Sequence, residues 1–314
     1  MNRSILTLTV NPAIDRIVTV DRLVFEDRAY IQSTIETAGG RGINAARVLT
    51  SFGASAIAIA TSGPREGGKR FEQALEEEGF AKEIVRVRQK IRTNLTISDH
   101  QGLSVKLNEV GPTLSQAEQN RVIKAVEKHL PEASWLMLCG SLPPGVEPHF
   151  YTKLIRIAHK QKVKSLLDTD GDALLHGLEG EPTVVKPNQS EAERLLNTPL
   201  VTRSHWVEAV CRIRGMGAQS VALSLGSRGM VAASAEGRVL EAVPPAVEAV
   251  CPIGAGDAAA AAIVWSLDRG DSFTEALRWG VATGTASSAL PGISLANLEQ
   301  AEKIHGRTTV SKIG

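Results

Sequence analysis

The feature that most constrains how this chain can fold is an alternation: short apolar, β-rich runs are followed by stretches of helical period. Residues 5–10 read as a buried strand and 43–52 as the helix after it, with Gly53 as its stop. Residues 56–60 and 68–78 repeat the pair, the second helix ending at Gly79. Further along, 135–139, 163–168, 183–186 and 221–225 read as strands, and 148–160 as a helix. Capping boxes at Ser115 with Glu118 and Ser272 with Glu275 open two more helices. Such alternation predicts a mainly parallel sheet with helices on both faces. Two stretches, 17–35 and 84–107, are rich in β-branched residues and carry no helical period. They are expected to form a small second sheet that could close over a site. The tail from Lys303 is expected to be poorly ordered at its end.

With 314 residues, 43% of them hydrophobic, the chain can build one large α/β domain or a large domain with a small one. Its 35 basic and 34 acidic residues leave a net charge of +1, which gives no general attraction to nucleic acid or to an anionic membrane. Cys139, Cys211 and Cys251 are odd in number and widely spaced, as suits a reducing compartment rather than a disulfide framework. The most apolar run, 258–267, is about half a membrane span, and the N-terminus lacks the pattern of a signal peptide. The expectation is a soluble, cytoplasmic protein.

Several short segments could carry chemistry. Gly254-Ala255-Gly256-Asp257 precedes an alanine-rich helical run, so unpaired amides and the positive end of a helix dipole can make an anion hole suited to phosphate. By itself, Asp257 reads first as an ordinary N-cap. Gly39-Gly40-Arg41-Gly42-Ile43-Asn44 also leads into a helix. It reads either as a tight strand-to-helix turn or as backbone donors plus an amide for a polar ligand. Asp15 follows the first strand, where ligands of parallel sheets collect, but could simply form a turn. Asn188 and Glu191 fit a capping box, and the same spacing could hold waters of a magnesium ion. Residues 224–229 are either a hairpin turn or a backbone lying along a nucleotide. Arg86, Arg88, Lys90 and Arg92 alternate, as on one solvated strand face, and one of them could instead fork onto a phosphate. The seven histidines show no triad-like or metal-type spacing.

In their order along the chain, these segments resemble the PfkB/ribokinase family of sugar kinases, especially its fructose-1-phosphate and tagatose-6-phosphate kinase branch. The resemblance runs from about Ser4 to Leu298. It is carried by 9–15 (TVNPAID), 39–44 (GGRGIN), 140–145 (GSLPPG), Lys186-Pro187-Asn188 with Glu191, Ser224-Leu225-Gly226 and Gly254-Ala255-Gly256-Asp257. It implies a ribokinase-like three-layer α/β/α sandwich, one domain over 1–314, with a small β-sheet lid from about 12–36 and 90–110. It implies Asp257 as catalytic base, with Gly254, Ala255 and Gly256 as the anion hole. Asp15, Gly39, Gly40 and Asn44 become sugar contacts, and Arg92 and Arg28 phosphate contacts. Lys186, Ser224, Gly226, Ser227 and Gly229 fall to the nucleotide, and Asn188 and Glu191 to magnesium through water.

The activity so implied is ATP-dependent phosphorylation of a ketohexose phosphate. Fructose 1-phosphate is the first choice of acceptor and tagatose 6-phosphate or fructose 6-phosphate the alternatives. A non-catalytic sugar- or nucleotide-binding protein on the same fold is the rival from another class. ATP and Mg2+ are implied as cofactors, and potassium as an ion to which several members respond. Implied partners are small molecules and a second copy paired through the lid, with no nucleic acid and no membrane. The sequence departs from the family's usual residues at Arg41, where lysine is common, at Ile91 and Ile293, where threonine is common, and in the run of alanines 258–262.

Overall fold

The computed structural model describes residues 3–24, 26–101 and 103–313, so Phe25 and Gly102, within the two lid segments, and residues 1, 2 and 314 lie outside it. A ten-stranded sheet forms the centre. From one edge it runs β5 (Ala81–Arg86), β4 (Ala56–Ser62), β1 (Ser4–Thr9), β8 (Ala133–Cys139), β9 (Lys164–Asp168), β10 (Val184–Val185) and β11 (Ser220–Ser224), all parallel. It continues antiparallel through β12 (Met230–Ala233), β13 (Val239–Val243) and β14 (Thr309–Lys312). The last strand corrects the expectation of a loose tail: residues 309–312 pair with β13, and their ladder hydrogen bonds order the segment.

Side chains alternate across the sheet into two apolar layers. Leu6, Leu8, Ile59, Leu136, Leu138, Leu167, Val221 and Leu223 face one cluster, with Val122, Leu154 and Ile213 from the helices covering it. Ile5, Ala58, Ala60, Trp135, Met137, Leu166 and Ala222 face the other, covered by Leu49, Phe71, Ile263 and Leu277. The result is a three-layer α/β/α sandwich. The alanine run explains part of the second layer. Helix Ala255–Asp268 buries Ala258 to Ala262 completely and lies against helix Phe273–Ser288 so closely that a Cβ on Gly280 would strike Ile263.

A second sheet of four strands, in the order β3 (Ile31–Gly39), β2 (Ala13–Val20), β6 (Arg92–Asp99), β7 (Ser104–Asn108), stands apart from the first. Its strands begin earlier and end later than the sequence suggested for 17–35. Residues 84–86 belong instead to the edge of the main sheet. The alternating cations are therefore not one strand face. Arg86 ends β5, Arg92 begins β6, and a non-strand segment holding Arg88 and Lys90 joins the two sheets. Among the described residues, no helix is long and apolar enough to cross a membrane.

Candidate active site

Parallel strands deliver their carboxyl ends to one edge, and the polar residues gather there. Asp168 ends β9, Lys186 follows β10, Ser224 ends β11, and Asn11 lies just past β1. Helix Ala255–Asp268 starts beside them. Its cap, Gly254, has φ 79°, a left-handed turn that glycine adopts freely, and Asp257 sits in the helix's first turn. The Asn44 amide, one turn into helix Arg41–Ser51, donates to Asp257 Oδ2 at 2.8 Å. Arg47 donates in turn to Asn44 Oδ1 (2.8 Å) and to the Ala38 carbonyl (2.7 Å), which fixes which end of the amide faces Asp257.

Around Asp257 lies a dense charge cluster. Arg41 donates to Asp168 Oδ1 at 3.0 Å, to Asp170 Oδ2 at 2.9 Å and to Glu191 Oε1 at 3.2 Å. Lys186 Nζ is 3.2 Å from Asp168 Oδ2, both groups being buried. Asp257 opens partly to solvent yet is enclosed enough that burial, helped by repulsion from Asp168, pushes its carboxyl up to about 6. Arg41, Asn44 and Lys186 pull the other way. Burial, with Asp168 again, also raises Glu191. Burial works against the charge of Arg41 and Lys186, but Asp168 and Glu191 outweigh it and hold both above their ordinary values.

Four carboxylates, Asp168, Asp170, Glu191 and Asp257, thus share two cations, Arg41 and Lys186. An excess of negative oxygen is a donor set that suits a hard divalent cation. Asn188 and Glu191 form a reciprocal cap. Asn188 Oδ1 accepts from the Glu191 amide at 2.9 Å, and Glu191 Oε2 accepts from the Asn188 amide at 2.8 Å. Both readings of the pair are compatible, because a carboxylate keeps lone pairs beyond those used in capping. The segment 224–229 lies alongside. Ser224 donates its amide to the Pro187 carbonyl at 3.0 Å, and a short 3-10 turn, Gly226–Arg228, leads to Gly229 and β12.

The small sheet supplies the facing wall. Asp15 pairs in register with Thr37 on one side and Asn94 on the other, and Asn94 Nδ2 donates to Asp15 Oδ1 at 2.8 Å. Gly39 ends β3 against that carboxylate, and a Cβ there would collide with it. Gly40 caps the helix carrying Asn44. Arg92 donates to the Glu109 carbonyl at 3.2 Å, while its buried Nε has no partner. Burial lowers Arg92 from its usual value and Asp15 and Asp170 only partly offset this, so it feels both walls. Burial raises Asp15 against Asn94, Arg92 and Arg47. Asn11 Oδ1 and Asn94 Oδ1 are likewise buried without partners. Unpaired buried polar atoms are rare, and a cleft that shows several is shaped for a polar ligand.

Thus Asp15, Gly39, Gly40, Asn44, Arg92, Lys186, Asn188, Glu191, Gly254 to Asp257 and the 224–229 turn converge. Arg28 does not. It lies three residues beyond Ile31, the far end of β3, which is itself six residues from the partner of Asp15, about 20 Å along an extended strand, and it is exposed. Asp168, Asp170, Asn94 and Arg47 were missed by sequence reasoning. Asp168 ends a strand as plainly as Asp15 follows one, and the same placement rule could have found it. Two open concavities, of about 450 and 240 Å3, lie against the small sheet and contain none of these residues.

The fold and this cluster are those of an α/β phosphotransferase, a carbohydrate kinase. A family model described as pfkB family carbohydrate kinase matches residues 8–299, and the chain belongs to that family. Among its relatives, the 1-phosphofructokinase of Haemophilus influenzae is 28% identical, covering 99% of each chain. The tagatose-6-phosphate kinase of Staphylococcus epidermidis is 28% identical, covering 98% of this chain and all of its own. The crystal structure of phosphofructokinase-2 from Escherichia coli in complex with potassium superposes with a TM-score of 0.90 at 30% identity, over 97% of this chain and 98% of that one. Membership implies ATP as phosphoryl donor and a divalent metal.

Proposed function

We propose that the chain transfers the γ-phosphoryl group of ATP to a hydroxyl of a ketohexose phosphate, with fructose 1-phosphate as acceptor and fructose 1,6-bisphosphate as product. The observation that carries this reading is Asp257, a carboxyl held near 6 in the first turn of a helix and facing Asn44. A base near neutrality can take the hydroxyl proton as the oxygen attacks phosphorus. The bond between the γ-phosphorus and the bridging oxygen breaks, ADP departs, and the proton resides on Asp257. The amides of 254–257 and the Lys186 ammonium offset the charge on the phosphoryl oxygens. Asn188 and Glu191 would hold a magnesium ion through water, and that ion, when bound, shields the charge of the nucleotide phosphates. Positioning does most of the remaining work.

A phosphorylated acceptor is favoured over a neutral sugar by Arg92, whose fork is desolvated and incompletely paired. Asp15, Asn94, Gly39 and Asn44 would hold the sugar hydroxyls. Fructose 6-phosphate and tagatose 6-phosphate present the same chemistry and remain in the test. The four-stranded sheet acts as a lid on the single α/β domain and excludes water as a competing acceptor. Ile35 alternates with Thr37 on the face that carries Asp15 and is exposed, and Ile31, beyond a register shift in the same strand, is exposed too, as suits pairing with a second lid. In such a dimer, Arg28 could meet the phosphate from the partner. ADP release, coupled to a spectroscopic readout over a panel of sugars and sugar phosphates in potassium and in sodium, tests the reading. Turnover confined to ketohexose phosphates is expected. Equal turnover with unphosphorylated sugars would refute the phosphate assignment.

A further inference from the structure

Away from the cleft, helix Phe150–Lys160 and helix Gly171–Leu178 bring together three potential ligands that are distant in sequence or unremarkable there. His149 is the residue capping the first helix, His176 lies in the last turn of the second, and Glu179 follows it. His176 Nδ1 is 2.8 Å from Glu179 Oε1, and His149 Nε2 is 3.7 Å from Glu179 Oε2. The two imidazole rings lie with centroids 4.0 Å apart and planes at 33°. One ligand atom from each residue falls within 4.8 Å of the other two.

We propose that His149, His176 and Glu179 bind one divalent transition-metal ion of the zinc type, with water completing its coordination. Metal–ligand bonds of about 2.0–2.2 Å place neighbouring ligand atoms about 3.4 Å apart at a tetrahedral centre, so small side-chain rotations bring the three into range. The backbones that carry them are already locked together. Thr152 Oγ1 donates to the His176 carbonyl at 2.6 Å, and Arg156 donates to the Glu179 carbonyl at 3.0 Å. Two imidazoles and a carboxylate suit zinc, nickel or copper ions, whereas magnesium prefers oxygen ligands and keeps its waters.

The site is separate from the catalytic carboxylates but shares an element with them. Helix Gly171–Leu178 is capped by Asp170, which accepts from Arg41 at the cleft, and its other end, about 12 Å away, carries His176. A bound ion would clip that helix to its neighbour. The competing account is an ion-pair cluster at a helix C-terminus, where a protonated His176 complements the dipole and no metal binds.

Calorimetric titration of the full chain with Zn2+, under saturating Mg2+ and in a Cys211→Ser background to remove an exposed thiol, separates the two. The proposal predicts one Zn2+ per chain that Mg2+ does not displace, weakened about tenfold or more by His149→Ala or His176→Ala. Zn2+ should also raise the melting temperature of the Cys211→Ser protein and not that of its His149→Ala derivative. His149 is exposed, so its variant should melt like its parent in chelator, which keeps a lost site distinct from a lost fold. Zn2+ affinity unchanged in both histidine variants, or no binding at micromolar concentration, overturns the proposal.

Discussion

The two walls of the cleft are built on opposite plans. On the main-sheet wall every charge is already engaged: Arg41 holds three carboxylates, Lys186 holds Asp168, and Asn44 is oriented onto Asp257 by Arg47. On the small-sheet wall, Arg92 Nε and Asn94 Oδ1 are buried without partners, and Arg28 stands far off and exposed. The first wall is pre-organised for charge that develops in the reaction, which is where fixed dipoles are most effective. The second is complete only when something polar fills it. The contrast teaches that substitutions on the first wall should act on turnover and substitutions on the second on acceptor affinity.

The largest expected effect is on the first wall. Asp257→Asn should lower turnover by roughly 10²–10⁴-fold with ATP affinity nearly kept, as measured by steady-state kinetics and nucleotide titration. It also removes a carboxyl whose ionisation the fold disfavours, so chemical denaturation at neutral pH should show a stability gain of about 1–3 kcal/mol. Arg92→Ala comes next. It should raise KM for the sugar phosphate by roughly 10–100-fold while changing kcat much less, and an equal fall in kcat and kcat/KM, with KM unchanged, would break the division between the walls. The pH response is smaller. Because the folded carboxyl of Asp257 is raised, the base is lost as pH falls through about 6, and kcat/KM should drop about tenfold per unit below it. The smallest effect belongs to Arg28→Ala. A few-fold rise in KM that disappears in dilute, dissociated protein would sharpen the picture of a partner completing the second wall.

Much of this was legible in the sequence because periodicity and turn residues are local. The strand–helix alternation announced the layered sheet, and the Gly-Ala-Gly-Asp turn before an alanine run announced a helix mouth. The alanines themselves read as a departure and became a packing device once Gly280 and Ile263 were seen against them. What stayed hidden depends on contacts between distant segments. Residues 309–312 look like a tail until β13 offers them a ladder. Asp170 has no motif of its own, and only the approach of Arg41, more than a hundred residues away, draws it into the site. Arg28 and Arg92 look equivalent as lid cations, yet strand register separates them by most of the sheet's length.

A crystal structure with fructose 1-phosphate and a non-hydrolysable ATP analogue tests the central claim most directly. The account predicts an acceptor hydroxyl within about 2.6–3.2 Å of the Asp257 carboxylate, the γ-phosphate against the amides of 254–257, and the sugar phosphate on Arg92. An acceptor bound with its hydroxyls turned away from Asp257, or with its phosphate remote from Arg92, would contradict it.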